Sequence, residues 1–183
     1  LSHAGSEQAV HGARRPEYGN PLRLRRALDH NVRVIVAHCA SSGIYPDLDA
    51  AGKAERNAFD LFTRMMDEPR HEGLLFADVS AITQRNRAGR PLQTVLERDD
   101  WHPRLINGSD YPLPGVMPLF SLKQLVTLGY LDETDAPVLS VIRRHNPLLF
   151  DFVLKRRLRW QGKQIARSVF ESRRLFRSPQ KGV

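Results

Sequence analysis

Residues 104–112 read Arg-Leu-Ile-Asn-Gly-Ser-Asp-Tyr-Pro, and the interpretation of the fold begins from this stretch. Two apolar residues, Leu105 and Ile106, lead into a glycine, a serine and Asp110, and Pro112 then interrupts the chain. A short apolar run that ends in this way is typical of a buried strand. We therefore expect a strand that delivers the carboxylate of Asp110 to the edge of a sheet.

Three further stretches upstream have the same character, because each is apolar or β-branched and ends in polar side chains. They are residues 1–5 with His3 near the end, residues 32–39 with His38, and residues 74–81 with Asp78 and Ser80. Nearly continuous apolar runs of this length indicate strands that are buried on both faces, as in a parallel sheet.

Helical patterns separate the predicted strands. We expect helices over residues 20–31, 49–67, 91–99, 117–128, 135–145 and 146–153, with loops at residues 6–19 and 83–89. Asn20-Pro21 and Asn146-Pro147 both look like helix starts, with asparagine as the cap and proline in the first turn. The alternation of strands and helices predicts an α/β architecture around a parallel sheet.

Length and composition limit the possible classes of protein. A chain of 183 residues with 41% hydrophobic content predicts one domain with a real core, with or without an appendage. No apolar run reaches eighteen residues, so we expect no membrane-spanning helix. The single cysteine, Cys39, excludes an internal disulfide framework and indicates a reducing compartment such as the cytoplasm.

The net charge of +8 comes from one end of the chain. Residues 153–183 contain ten lysines and arginines and one acid, whereas the remainder contains eighteen basic and nineteen acidic residues. We therefore divide the chain into a nearly neutral body, residues 1–153, and a basic helical extension, residues 154–183. The extension could bind nucleic acid or an anionic membrane surface, but a solvated face or a strap in a homo-oligomer is the favoured interpretation.

The carboxyl ends of parallel strands meet at one edge of a sheet, where α/β proteins place their active sites. His3, His38 and Asp110 would converge there. Neutral imidazoles and a carboxylate are the ligands of a catalytic zinc ion that keeps one position open for water. Taken singly, each histidine could instead be structural, and Asp78 or Asp110 could cap the next helix.

Four segments resemble the second half of an amidohydrolase-superfamily barrel, in the amidohydrolase-related branch of metal-dependent hydrolases and decarboxylases. They are Ser-His-Ala-Gly at residues 2–5, Val-Ile-Val-Ala-His-Cys at 34–39, Asn-Gly-Ser-Asp-Tyr-Pro at 107–112, and Asn-Pro-Leu-Leu-Phe at 146–150. The resemblance covers residues 1–153. It implies a partial TIM barrel, with this chain supplying strands five to eight of the (β/α)₈ fold.

The resemblance also implies roles for individual residues. His3 and Asp110 would bind a divalent metal, zinc in the first instance, and Asp110 could accept a proton from the bound water. His38 would be a further ligand, or the residue that acts as acid or base in a one-metal site. A small-molecule substrate would be hydrolysed, with decarboxylation as a variant. Apart from the resemblance, their positions make Glu7, Arg85 and Tyr111 candidates for substrate contacts, with Arg85 able to bind a substrate carboxylate, although a position without a role in the site is the favoured interpretation of each.

The chain also departs from the family pattern. It has no His-x-His pair and no strand-four ligand, and only four strand–helix units are visible where a full barrel needs about 250 residues. We therefore expect this chain to be a fragment or one segment of a longer chain, with the missing amino-terminal half of the barrel as its partner. The less favoured alternative is a natural half-barrel that dimerises or has lost activity. Alone, the chain should bind metal weakly and have little activity. The alternative function is that of a non-catalytic α/β half-barrel whose basic extension binds an anionic partner.

Overall fold

The computed structural model describes residues 1–6 and 15–176, and within these ranges the chain is a mixed α/β fold. Its strands are β1 (Val34–Val36), β2 (Ile44–Pro46), β3 (Glu55–Asn57), β4 (Leu75–Asp78) and β5 (Leu105–Ile106). Its helices are α1 (Arg25–Leu28), α2 (Ala58–Met66), α3 (Arg90–Glu97), α4 (Leu122–Thr127), α5 (Asp135–His145), α6 (Pro147–Arg157) and α7 (Arg173–Phe176).

A three-stranded parallel sheet in the order β1-β4-β5 forms the centre of the fold. The amino-terminal stub extends it, because the Ser2 amide donates to the Ile35 carbonyl at 2.8 Å and the Ala37 amide donates to the Ser2 carbonyl at 2.9 Å. The four predicted strands therefore lie side by side in parallel and in chain order. This confirms the α/β class and the parallel sheet.

The strands are shorter than the sequence predicts. Residues 32–39 were expected to be extended throughout, yet β1 ends at Val36. The next residues cannot continue a strand, because His38, Cys39 and Ala40 have φ angles of 55°, 50° and 49°. This left-handed backbone turns the chain sharply away from the sheet.

The predicted helix over residues 49–67 is wrong in its first half. Gly52 and Lys53 have positive φ angles, which break a right-handed helix, and the chain then forms β3, antiparallel to β2. The helix itself, α2, begins only at Ala58. Its apolar face is buried, and Phe62 packs edge-on against Trp101 with ring centroids 5.9 Å apart.

The other helices follow the prediction more closely. Helix α5 has the expected bounds, and α6 begins where the Asn146 side chain accepts from the Leu149 amide at 2.9 Å. The predicted helix at residues 117–128 instead divides into a 3-10 turn and α4, because Phe120 is extended and the Ser121 side chain caps the second segment.

The basic extension is packed onto the rest of the fold. Residue 153, the expected division, lies inside α6, and four residues beyond it belong to the same buried core as the sheet: Leu154, Leu158, Ile165 and Val169. Among the described residues, the extension is helical at the end of α6, in a 3-10 turn at Arg167–Phe170 and at α7. The predicted helical extension is thus a series of short helical segments.

Of the helices that the structure describes, none combines the length and the apolar character that crossing a bilayer requires.

Candidate active site

The carboxyl ends of the parallel strands bring His3, His38 and Asp110 together. The imidazole rings of His3 and His38 meet edge to face, with centroids 5.2 Å apart. On the other side, His38 Nε2 lies 3.9 Å from Asp110 Oδ2. His38 is buried, whereas the Asp110 side chain is 29% exposed, so the cluster has one face open to solvent.

A hydrogen-bond chain determines the orientation of the His38 ring. Its Nδ1 lies 2.6 Å from Ser80 Oγ, and Ser80 Oγ is in turn hydrogen-bonded to Asp78 Oδ1. The Asp78 carboxylate can only accept, so the Ser80 hydroxyl donates to it and accepts from His38 Nδ1–H. This assigns the tautomer from the network and leaves the lone pair of Nε2 directed toward Asp110.

Asp78 also ties two strand ends together. Besides the Ser80 hydroxyl, its Oδ1 atom accepts from the His38 amide at 3.0 Å and from the Ser80 amide at 2.9 Å. Sequence analysis placed both Asp78 and Ser80 near a strand end but gave neither a role in the site. Their spacing of two was the available signal, because alternate residues of an extended chain share a face.

The backbone is strained at three of the four strand ends around the cluster. Left-handed φ angles occur at His38–Ala40 after β1, at Ala81 after β4 and at Asp110 after β5, where φ is 56°. Residues other than glycine adopt this conformation at an energetic cost, and such positions concentrate at functional sites. Their convergence on one cluster points to a site rather than to an ordinary set of loops.

Burial lowers the pKa of His38, and this desolvation outweighs the opposing attraction of Asp78 and Asp110. Arg87 and His3 act in the same direction as burial. The ring is therefore neutral near pH 7, as both a metal ligand and a proton acceptor must be.

Gly108 allows β5 to approach the hydrogen-bond chain closely. A Cβ atom at this position would lie 3.3 Å from both Asp78 Cγ and Ser80 Cβ, which is tighter than nearly all real contacts of this kind. The glycine of the 104–112 stretch thus has a packing role that the sequence pattern did not reveal.

The predicted substrate-contacting residues are less closely associated with the cluster. Glu7 lies outside the described residues. Tyr111 is 68% exposed, and Arg85 is exposed with its amide bonded to the Leu119 carbonyl. Sequence analysis did not select Arg87, yet its charge acts on His38 and its Nη1 donates to Ser41 Oγ at 2.9 Å.

A cavity of about 250 Å³ opens beside the turn that follows β1. Ser41, Asn86 and Arg87 contribute to its wall. Its lining comes from the segments that follow β1 and β4 and from residues 57–60. His3, His38 and Asp110 are not among the residues that line it.

The side chains of the cluster are of the types that bind zinc, but the distances between them do not fully fit a zinc ion. Within residues 1–6 and 15–176, no three His, Cys, Asp or Glu side chains lie close enough together to hold a metal ion. Two tetrahedral zinc ligands at about 2.0 Å would be about 3.3 Å apart, so His38 Nε2 and Asp110 Oδ2 would have to approach by about 0.6 Å. Their separation of 3.9 Å already suits a water molecule hydrogen-bonded to both atoms at about 2.8 Å.

This is an α/β chain with a polar cluster at the carboxyl ends of parallel strands. Comparison with family models, with curated proteins and with solved structures finds no match to it.

Proposed function

We propose that the chain carries the site of a metal-dependent hydrolase of the amidohydrolase type, which cleaves a bond of a small molecule with an activated water. The observation that supports this function best is the pairing of His38 and Asp110 across a gap of 3.9 Å. Both atoms that face the gap accept protons, and the ring is held in place from behind by Ser80 and Asp78.

The chain's own residues can orient and deprotonate the water. A water in the gap would donate one hydrogen bond to Asp110 Oδ2 and the other to His38 Nε2. Either group can then act as the general base, since each lies within hydrogen-bond reach of the same proton donor. Because burial keeps the imidazole neutral, His38 is ready to accept a proton near pH 7.

His3 and Asp110 would hold the metal. His38 would be a further ligand through Nε2 or, where that lone pair stays free, the group that takes the proton of the water. A bound zinc ion lowers the pKa of its water from 15.7 to about 7 and polarises the bond to be cleaved. The three residues supply two imidazoles and a carboxylate, which is the ligand chemistry of catalytic zinc sites.

The sheet is consistent with strands five to eight of a (β/α)₈ barrel. Its four parallel segments follow one another in chain order, with helices in the connections, as successive units of such a barrel do. On this proposal, further strands from another segment or another copy would complete the barrel. A polar cluster at the carboxyl ends of the strands also occupies the usual position of a barrel's active site.

Zinc titration calorimetry of the whole chain tests the function without knowledge of the substrate. We expect the wild-type protein to bind zinc, and His38→Gln and Asp110→Asn to lose most of that affinity. His30→Gln and Asp29→Asn change the same residue types at exposed positions and should bind like the wild type. Equal zinc affinity in Asp110→Asn and the wild type would contradict the proposal.

Activity assays define the reaction. The zinc-loaded protein would be tested on esters, amides and lactones, and on carboxylic acids with carbon dioxide release as the signal. Hydrolysis that Asp110→Asn abolishes supports the proposed reaction. Carbon dioxide release instead would identify the decarboxylase variant of the same site.

A further inference from the structure

Lys155 is a fully buried cation directly beneath the candidate site. It lies on α6 and has no exposed surface. Its Nζ donates to Asp151 Oδ2 at 2.6 Å, to the Gly108 carbonyl at 2.6 Å and, more weakly, to Asn107 Oδ1 at 3.4 Å. One ammonium group therefore joins a helix to the segment that runs from β5 to Asp110.

Stability alone does not account for a charged pair at this place. Asp151 is also buried, at 1% exposure, and two buried charges lose most of their hydration. Apolar residues of similar size often replace such pairs without loss of stability. Helix α6 is already anchored by Phe150 and Leu154, both of which are completely buried.

The contacts of Lys155 explain the buried Lys155–Asp151 pair better than a contribution to stability does. The Gly108 peptide is held between two fixed groups, since its carbonyl accepts from Lys155 and its Cα faces Asp78 and Ser80. Asp110, two residues further on, has a left-handed backbone that must be maintained by its surroundings. A shift of the Gly108 peptide would therefore move the Asp110 carboxylate relative to His38.

We infer that Lys155, neutralised by Asp151, is a positioning residue that holds the Asn107–Gly108 peptide so that Asp110 faces His38 Nε2. The importance of that geometry rests on the function proposed above. The cation also faces the carboxylates of the site. Burial lowers the pKa of Lys155, while Asp151, Asp78 and Asp110 oppose this effect.

The double variant Lys155→Met/Asp151→Leu tests the inference, because it removes both charges, leaves no unpaired buried charge and takes away the donor to the Gly108 carbonyl. Leu139→Ala on α5 is the matched control, since it truncates a buried side chain away from the site. Thermal unfolding of both variants would show that each remains folded. If the double variant proved unfolded, Lys155→Met/Asp151→Asn, which also removes the ammonium group but keeps the shape of the side chain at position 151, would replace it in every measurement.

Three measured quantities then distinguish a positioning role of Lys155 from a role in stability alone. In nuclear magnetic resonance spectra, we expect the His38 imidazole nitrogen signals to shift in the double variant. Hydrogen exchange at the Asn107 amide, which donates to the Val169 carbonyl at 2.8 Å, should rise at least about tenfold. Zinc affinity should fall by about 10–100-fold, as when a group that supports a ligand is removed. Leu139→Ala should leave all three quantities at wild-type values.

The outcomes distinguish this inference from the proposed function. Unchanged His38 signals and unchanged exchange at the Asn107 amide in the double variant would overturn the positioning role, whether or not the protein binds zinc. If the wild type does not bind zinc but both quantities change as expected, Lys155 positions Asp110 and only the proposed function fails.

Discussion

At the scale of single residues, the contacts of His38 fix the orientation and the tautomer of its ring. Its Nδ1 atom is occupied by Ser80, its backbone amide by Asp78, and only Nε2 faces the open side of the cluster. A histidine whose second nitrogen is held in this way has one tautomer and one direction for its lone pair. The proposed function requires this fixed orientation of His38.

Ser80→Ala tests this orientation. The change removes the acceptor of His38 Nδ1–H while leaving the ring and Asp78 in place. We expect zinc affinity to fall by about 10–100-fold, which is typical when a group that orients a ligand is lost. Calorimetry measures it, and Ser172→Ala, at a partly exposed turn near the end of the described chain, is the control. Wild-type affinity in Ser80→Ala would show that the hydroxyl does not orient the ring.

The ion pair between Asp47 and Arg64 predicts how the stability of the fold depends on pH. The Arg64 guanidinium donates to both of its oxygens at 2.8 Å and lowers the pKa of Asp47 to about 2. Because the folded-state pKa is depressed, the carboxylate stabilises the fold above its ordinary pKa of 3.8, and this contribution is lost as the pH falls toward 2. The stability advantage of the wild type over Asp47→Asn should therefore shrink between pH 5 and about pH 2.

Urea unfolding at several pH values in this window measures that difference. Asp29→Asn, at an exposed carboxylate, should follow the wild-type pH dependence in parallel. A constant gap between the wild type and Asp47→Asn down to the lowest pH would rule out the Arg64 pairing as a source of acid sensitivity.

At the scale of elements, the turn after α6 is a tight hairpin that the sequence does not fully optimise. The Trp160 and Lys163 backbones exchange hydrogen bonds of 2.9 and 2.8 Å, and both central residues have positive φ angles, 48° at Gln161 and 80° at Gly162. Two positive φ angles define a type I′ turn, which favours Asn-Gly.

Gln161→Asn should therefore stabilise the protein by about 0.5–1 kcal/mol, because asparagine tolerates the left-handed region better than glutamine. Thermal or urea unfolding measures the change. Gly162→Ala should instead destabilise the protein. A Cβ atom at this position would meet no atom within 4 Å, so the cost comes only from placing alanine at a positive φ angle. A destabilised Gln161→Asn would mean that the glutamine side chain contributes more than its backbone costs.

Ion pairs within the fold reduce the positive charge that the basic extension presents to a partner. Several of its cations already have acidic partners, namely Lys155 with Asp151, Arg157 with Asp135, Lys163 with Asp99 and Arg167 with Glu171. The exposed pairs contribute little to stability, but they reduce the positive charge available to a nucleic acid or a membrane. The local charge of this segment is thus smaller than its composition indicates.

At the scale of the whole molecule, residues beyond 153 complete the core. Leu154, Leu158, Ile165 and Val169 are each buried, and the Val169 carbonyl accepts from the Asn107 amide at 2.8 Å, beside the outer edge of β5. The extension therefore covers part of an edge that would otherwise invite pairing with another chain. A strand added there would first have to displace this segment.

Truncation tests whether residue 153 is a domain boundary. Burial of each of the four side chains contributes about 1.5–3 kcal/mol, and together they approach the whole stability of a typical domain. We expect a chain that ends at residue 153 to lose cooperative thermal unfolding, measured by circular dichroism. A chain that ends at Phe176 should unfold like the full protein. Cooperative unfolding of the shorter chain at the wild-type temperature would establish residues 1–153 as an independent domain.

Local pattern predicted much of the architecture. The bounds of α5, the asparagine cap of α6 and the parallel arrangement of the strands were all visible in the periodicity and in the Asn-Pro pairs. The β2–β3 pair was not, because residues 49–57 carry no alternation of apolar and polar side chains, and this pairing depends on the turn at Gly52. His3, His38 and Asp110 were predicted as a group because strand ends of a parallel sheet converge whatever the details of packing.

The sequence by itself determined which side chains stand at the ends of the strands, since short-range hydrophobic periodicity decides where a strand stops. Only the tertiary structure decided what those side chains do for one another. Ser80 reaches His38 across 42 positions, and Lys155 reaches Gly108 across 47. Contacts of that range follow from how helices and strands pack in three dimensions, and no local pattern encodes them.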